Sequence, residues 1–325
     1  MSPARQPKVS ISLITYNHAR YIAQAIDGAL MQETDFPFEI VIGEDMSTDG
    51  TREIVKNYQS RHTERIRLLL HNRSNLSLAN GKPTGNWNFA NNIKNCCGQY
   101  IALLDGDDYW TSPHKLQKQA DFLDRNGDCA LCYHNVQILD ESNPTQIELH
   151  ERKTGKKTLK NLLRGNFMQT CSVMFRAGLF PDFPEWFFRS PLGDWPLHIL
   201  NAQHGDIGYI HEVLGVYRKH ASGAFSQRKR MDADAATIEA AELIRSSLEP
   251  TAQRYLDKTI ARWYRKLIQR CAREKDRESA SRFSEAFLKR FPPYKTWFGL
   301  KLAVRRRLRN TGNSFSTELR GPKQF

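Results

Sequence analysis

The sequence predicts an α/β protein whose mostly parallel sheet is flanked by helices and followed by a helical C-terminal extension. Three observations predict it. In the first half, short β-rich apolar runs alternate with helix-length amphipathic segments, the pattern of successive β-α-β units. From about Met231 the pattern becomes helical throughout, with AAELIRSSLEP, TIARWYRKLIQRCAR and ASRFSEAFLKRF in succession. The chain's 325 residues, 40% of them hydrophobic, suffice to bury a core of that size.

Strands are expected at residues 9–14, 38–43, 66–70, 100–104 and 130–139, with helices between them at 19–31, 51–60, 86–96 and 113–125. Asp49-Gly50-Thr51 offers a helix start, and Ser112-Pro113 places a cap residue before a proline at the first helical position. The polar stretch DESNPTQIELHERKTGKK after Leu139 reads as a loop or weak hairpin. A short helix at 159–164, a strand at 170–175, the aromatic run FPDFPEWFF, a helix opening near Asp194 and strands at 206–210 and 213–217 complete an α/β domain of residues 1–230. Residues 231–325 form the helical region. No repeat of fixed period is present.

The net charge is +13, and its distribution is uneven. Eight of the Lys and Arg residues lie between 291 and 325 (Lys295, Lys301, Arg305, Arg306, Arg307, Arg309, Arg320, Lys323), against the single acid Glu318. Trp297, Leu300, Leu302, Val304 and Leu308 alternate with those cations, so this tail reads either as a helix lying on an anionic bilayer or as a solvated helix packing its apolar side inward. Nucleic acid is not expected as a partner, because no recognised binding motif accompanies the charge. The N-terminus lacks an apolar signal region, and no run of eighteen apolar residues occurs, so a cytoplasmic protein is expected. The six cysteines then read as reduced thiols. Cys129 and Cys132 form an isolated C-x-x-C in a strand-like context, with no second pair for zinc.

In an open α/β sheet, ligands bind beyond the carboxyl ends of the strands. Three such ends carry polar residues here: Thr15-Tyr16-Asn17, then Gly43 to Gly50 with Glu44 and Asp45, then Asp105-Gly106-Asp107-Asp108 within LLDGDDYW. Each alone is ordinary turn and cap chemistry. Three carboxylates in four residues, however, repel one another unless a cation such as Mg2+ or Mn2+ neutralises them. Neither G-x-G-x-x-G nor G-x-x-x-x-G-K-[ST] is present, which leaves a nucleotide site whose phosphates are held through metal.

The blocks VSISLITYNHARYIAQAI, FEIVIGEDMSTDGTREIV and GQYIALLDGDDYWTSPHKLQKQ, taken in order, resemble the inverting glycosyltransferase family 2, over about residues 8–225. The resemblance implies the Rossmann-related GT-A fold, with a nucleotide-sugar half at about 8–125 and an acceptor half at 126–230. It also implies that Thr15 and Tyr16, with Asn17, border the nucleobase, and that Asp45, beside Glu44, accepts from base or ribose. Arg73 would reach the base or diphosphate. Asp105, Asp107 and Asp108 match the D-x-D element that contacts ribose and binds the divalent metal, with Asp107 favoured as principal ligand.

Downstream, the resemblance implies a catalytic base at the start of a helix, and RSPLGDWPLHIL offers Asp194, with Gly193 where a Glu often stands; Asp194 also reads as an N-cap before Trp195-Pro196, and both readings can hold. EVLGVYRKHASGAFS resembles the family's closing segment, which implies that His220 lies near metal and diphosphate, with Arg218 and Lys219 able to face phosphate. Besides Gly193, two positions depart from the family pattern: Glu44 replaces the commoner Asp, and Ser77 stands where Gly is frequent. The aromatic PEWFFRSPLGDW either shapes an acceptor pocket, through Trp186 or Trp195, or is core. The implied activity is metal-dependent, inverting transfer of a hexosyl or N-acetylhexosaminyl unit from a nucleoside-diphosphate sugar, UDP-linked in the first instance. The implied acceptor is a hydroxyl of a glycan or lipid-linked molecule in cell-surface polysaccharide synthesis. A non-catalytic nucleotide-sugar binder of the same fold and a nucleotidyltransferase are the alternatives.

Overall fold

A computed structural model describes residues 6–71, 85–143, 147–149, 155–221, 223 and 230–292. The first strand, β1 (Val9–Thr15), shows why the sheet forms. Its sequence VSISLIT alternates, and both faces are buried. Val9, Ile11 and Leu13 enter the main hydrophobic core, while Ser10 and Ser12 face the other way and are satisfied by side chains. Ser10 donates to Glu39 Oε1 at 2.6 Å, and Asn92 Nδ2 donates to Ser12 Oγ at 2.9 Å and to the Val41 carbonyl at 2.9 Å. A strand buried on both faces belongs at the centre of a sheet covered by helices.

Around it lie α1 (Ile22–Leu30), β2 (Phe38–Glu44), α2 (Thr51–Arg61), β3 (Ile66–Leu70), α3 (Asn86–Lys94), β4 (Tyr100–Asp105), β5 (Tyr109–Trp110), α4 (Lys115–Arg125), β6 (Cys129–Asp140) and β7 (Ile147–Leu149). The second half continues with α5 (Leu159–Leu162), a 3-10 turn at Thr170–Ser172, β8 (Val173–Arg176), α6 (Glu185–Arg189), α7 (Asp194–Ala202) and β9 (Asp206–Lys219). The nine-stranded sheet runs β3-β2-β1-β4-β8-β6-β9-β5, with β7 paired to β6. Strands β3, β2, β1 and β4 are parallel. Beyond β4 the sheet is mixed: β8 is antiparallel to both β4 and β6, β9 is parallel to β6, and β5 is antiparallel to β9. The strand order reverses direction between β1 and β4, so the crevice for a ligand opens where Thr15 and Asp105 end their strands.

Several local outcomes differ from the sequence expectations for physical reasons. Helix α1 begins at Ile22, not at residue 19, because the Ala19 N–H is taken by Asp49 Oδ2 and the His18 carbonyl opens the first turn. The two strands expected at 206–210 and 213–217 are one strand, with a register shift against β6 that absorbs residues 211 and 212. Residues 170–172 form a 3-10 turn ahead of a shorter strand, and part of the aromatic run forms α6.

The chain divides into two compact units, Met1–Arg228 and Lys229–Phe325. The second contains α8 (Arg230–Ile244), α9 (Pro250–Arg273) and α10 (Arg277–Arg290). Proline opens α9, and the Asp276 side chain caps α10 by accepting from the Ser279 N–H at 3.0 Å. Ala261, Ile268 and Phe287 form its buried centre, and Arg245, Asp257, Arg290 and Glu242 link into one ion-pair chain. No described helix is long and apolar enough to cross a membrane.

Candidate active site

The loops leaving β1 and β2 are knitted together. Asn17 and Met46 adopt left-handed backbone, φ 54° and 63°. Asparagine tolerates that conformation through its short polar side chain; methionine does so under strain. Asp45 N–H donates to the Thr15 carbonyl at 3.0 Å, Asn17 N–H to Ser47 Oγ at 2.9 Å, Thr48 N–H to Asn17 Oδ1 at 2.9 Å, and His18 N–H to Thr51 Oγ1 at 2.8 Å. Thr15 and Asp45 are buried here, and the Tyr16 ring stands at the rim, 41% exposed. Glu44 is turned inward. Its carboxylate accepts from Arg52 Nε and from the Ser47 N–H, and Arg52 also donates to the His71 carbonyl at 2.9 Å. Glu44 thus shapes the loop that holds Asp45, and its oxygens are engaged within the protein. Arg73 and Ser77 lie outside the described residues.

The third strand end is the carboxylate turn. Gly106 N–H donates to the Ile14 carbonyl at 2.8 Å, and Asp108 N–H to the Asp105 carbonyl at 3.0 Å. Glycine is required at 106: a Cβ would lie 2.7 Å from Thr15 Oγ1 and 2.9 Å from His18 Nδ1. Asp105, Asp107 and Asp108 each direct an oxygen to one place, all within 4.8 Å of one another.

Residues from β9 close the turn from behind. Arg218 N–H donates to Asp108 Oδ1 at 2.8 Å, and its guanidinium donates to the Asp107 carbonyl at 2.9 Å and to Gln24 Oε1 at 2.8 Å. That guanidinium lies between the Tyr21 and Tyr109 rings, 4.8 and 5.2 Å from their centroids, and 3.5 Å from Glu141. His220 Nε2 is 3.0 Å from Asp107 Oδ2, with His18 Nε2 at 3.7 Å from the same oxygen.

Electrostatics divide the three acids. Two carboxylates 4.8 Å apart repel by roughly 3 kcal/mol at an effective dielectric of about 20. Burial, then the Asp107 and Asp194 charges, push Asp105 up; burial, then Asp107 and Asp105, push Asp108 well above the usual range. Asp107 goes the other way: burial opposes ionisation, but the His220 hydrogen bond and the nearby His18 hold its carboxyl below the ordinary value. Asp108 Oδ2 is buried without a partner. A converging set of carboxylate oxygens, one of them orphaned, with an imidazole alongside, fits the donor chemistry of Mg2+ or Mn2+.

Asp194 opens α7. Gly193 takes the N-cap position of α7 and Asp194 is the first helical residue, so the capping alternative for Asp194 does not hold. Burial pushes its carboxyl up, against hydrogen bonds from the Trp195 N–H and Asn166; Asn166 Nδ2 lies 2.8 Å from Asp194 Oδ2. Its charge is felt at Asp105.

Trp195 corrects an expectation. Its indole is 1% exposed and its Nε1–H donates to the Leu162 carbonyl at 3.0 Å, so it anchors α7 and presents no face to a substrate. Trp186 and Phe187 are likewise core. The residues not anticipated are His18, Gln24, Glu141, Asn166 and Thr170, the last of which lies near Asp105 and favours its ionised form. His18 directly follows the TYN block and could have been included with it; the others meet the site only through the fold.

A parallel α/β sheet reversing its order beside a carboxylate turn, with a mixed second half and a further acid at a helix start, is a GT-A arrangement. The model described as "Glycosyl transferase family 2" matches residues 10–185, and the chain belongs to that family. The uncharacterized protein Rv1520 of Mycobacterium tuberculosis is 34% identical over 227 residues, covering 68% of this chain and 63% of the relative's length. Among solved structures, S. aureus TarS in complex with UDP superposes with a TM-score of 0.54 at 20% identity, over 79% of this chain and 70% of that one. The Pyrobaculum calidifontis mannosyltransferase in complex with GDP-Man and Mn2+ superposes with a TM-score of 0.54 at 18% identity, over 91% and 84%. At these identities the structures share the fold.

Proposed function

We propose that the chain is a metal-dependent, inverting glycosyltransferase that moves a sugar from a nucleoside diphosphate, UDP in the first instance, to a hydroxyl of a glycan or lipid-linked acceptor. The observation that carries this reading is the convergence of Asp105, Asp107 and Asp108 within 4.8 Å of one another at the strand-order reversal, with Asp194 near enough to act on Asp105. Thr15 and the exposed Tyr16 would border the base, with Asn17 shaping their loop, and Asp45 would accept from base or ribose. Asp107 with Asp105, Asp108 and His220 would hold a divalent cation, which when bound supplies positive charge to the leaving diphosphate. Arg218 fixes the turn that presents these groups.

Asp194 takes the proton of the acceptor hydroxyl as that oxygen bonds to the anomeric carbon. The carbon's bond to phosphate oxygen breaks, its electron pair leaves with the nucleoside diphosphate, and the configuration inverts. Cell-surface polysaccharide or glycoconjugate synthesis at the inner face of the membrane suits such an acceptor. The basic tail that would touch anionic lipid lies outside the described residues.

The test is release of nucleoside diphosphate from UDP- and GDP-sugars with and without Mn2+. Metal-dependent release supports the proposal; tight binding of the donors with no release under any condition, with or without glycan acceptors, makes the chain a binding protein instead.

A further inference from the structure

The segment between α5 and the 3-10 turn, absent from the family-like motifs, touches both chemical ends of the site. At Gly165 the backbone is left-handed, φ 141°, a conformation glycine tolerates, and the next residue is Asn166. The Asn166 amide is committed at both ends. Its Oδ1 accepts from the Met168 N–H at 3.1 Å, which leaves Nδ2 to donate to Asp194 Oδ2 at 2.8 Å. Four residues on, the Thr170 side chain lies near Asp105 and favours its ionised form. Upstream, the Leu162 carbonyl accepts from the Trp195 indole at 3.0 Å. One short stretch of chain is therefore fastened to the first two residues of α7 and passes near the first carboxylate of the metal-binding turn.

We infer that Asn166 is the positioning residue of the base: through Nδ2 it fixes the orientation of the Asp194 carboxylate, an inference that rests on Asp194 acting as base. A carboxylate turns easily, because its terminal torsion is broad and twofold. It also has about four acceptor sites. The Trp195 N–H and Asn166 engage part of that capacity from the protein side, and the remainder is left for the acceptor hydroxyl. Without the amide, repulsion from Asp105 would act on a carboxylate held from the protein side through the Trp195 N–H. Orientation cannot be supplied by any residue that merely fills space, since the Met168 hydrogen bond is what turns the donor end toward Asp194.

The experiment uses the full chain with 13C-carboxyl aspartate, the Asp194 resonance being assigned by its loss in Asp194→Asn. In Asn166→Ala the titration of Asp194 is expected to move up by about one pH unit or more, since a hydrogen bond donated to the charged form is lost. Asp105 is followed in the same way, and Tyr217, whose phenol also feels the Asp194 charge, through a 13Cζ-tyrosine label. In parallel, nucleoside-diphosphate release from UDP-GlcNAc, UDP-glucose and GDP-mannose with Mn2+ should show kcat reduced at least tenfold with donor KM within twofold. Asn166→Asp, which keeps the acceptor for Met168 but places a second carboxylate at Asp194, should move the titration further up.

An unchanged Asp194 titration in Asn166→Ala overturns the inference, as does a joint change of kcat and KM with weakened UDP binding, which would mark a purely structural loss. Failure of the underlying reading looks different: Asp194→Asn would turn over at the wild-type rate while Asn166→Ala still moved the Asp194 titration.

Discussion

Replacing Gly106 by alanine isolates the joint between the first strand's end and the carboxylate turn. The new Cβ would lie 2.7 Å from Thr15 Oγ1, and 2.9 Å from both His18 Nδ1 and Thr15 Cβ. Comfortable contacts to carbon begin near ~3.5 Å, so each must open by roughly half an ångström or more. Thr15 cannot retreat, because β2 and β4 hydrogen-bond β1 on both sides and the Thr15 carbonyl holds the Asp45 N–H. The carboxylate turn yields instead, loosening the Gly106 N–H bond to Ile14 and carrying Asp105 and Asp107 away from Asp45. Overpacking of this kind costs about 1–3 kcal/mol. If relieved mainly at the turn, that cost appears as a loss of UDP affinity of roughly fivefold to 150-fold in the presence of Mn2+. The accompanying fall in Tm should be no more than about 4 °C, since little of the core moves. Isothermal titration with UDP and GDP and a thermal melt read both quantities. Nucleotide affinity within twofold of wild type would refute the claim that the two strand ends form one rigid floor.

Asp107→Asn keeps the shape of the turn but removes the carboxylate most readily ionised there, so Mn2+-dependent release of nucleoside diphosphate should fall by at least about 100-fold; retention of a tenth of the activity would unseat Asp107 as the principal ligand. Burial raises the Asp194 carboxyl, and a base must be ionised, so activity should be lost as pH falls through a value above the ordinary ~3.9; an acid limb of kcat at or below that value contradicts the assignment. Lys115 is fully buried, its Nζ lacks a hydrogen-bond partner and sits 3.7 Å from the Trp110 ring centroid, and burial pushes its pKa down to about 7. The unfolded chain, titrating near ~10.4, then binds more protons than the folded one between those values, so stability should rise with pH across that window. Lys115→Met should raise Tm at pH 7 and flatten the rise; a lower Tm at pH 7 would show the cation over Trp110 to be stabilising.

The strand ends were legible because apolar runs stop where polar groups begin. The expected bounds of β3, residues 66–70, coincide with those observed, and β1, β2 and β4 each extend only one residue past expectation, to Thr15, Glu44 and Asp105. Those three residues are the first polar ones of their loops, and the sheet carries them because strand pairing continues into the site. What sequence pattern could not supply was long-range pairing. Asp194 and Asn166 lie 28 residues apart and Tyr21 and Glu141 120 apart, and no periodicity encodes either contact. Strand β5, at two residues, is shorter than any pattern can register, and it exists because Tyr109 and Trp110 pair with Val216 and Gly215. Trp195 misled for a related reason: an aromatic residue beside a candidate acid looks the same in sequence whether it lines a pocket or anchors a helix.

Gly193, where the family resemblance would place a glutamate, has its explanation in a different helix. Asn86, the first residue of α3, donates through Nδ2 to the carbonyls of Phe187, Ser190 and Leu192 at 2.9, 2.8 and 3.1 Å. The segment joining α6 to α7 is thereby wrapped around one buried amide. The oxygen of that amide lies 2.8 Å from where a Cβ at residue 193 would stand, and Phe89 Cδ1 lies 3.4 Å from it. A side chain there would have to displace Asn86, which takes one donor from each of three carbonyls; Phe187 keeps the Ser190 N–H and Leu192 keeps the Ser190 hydroxyl, but the Ser190 carbonyl is left without the amide it faces, a loss that a buried group tolerates poorly. A carboxylate at 193 would also add a charge next to Asp194 and Asp105, both already raised by burial. This chain instead surrounds Asp194 with neutral amides: Asn86 shapes the approach to the helix, and Asn166 holds the carboxylate itself.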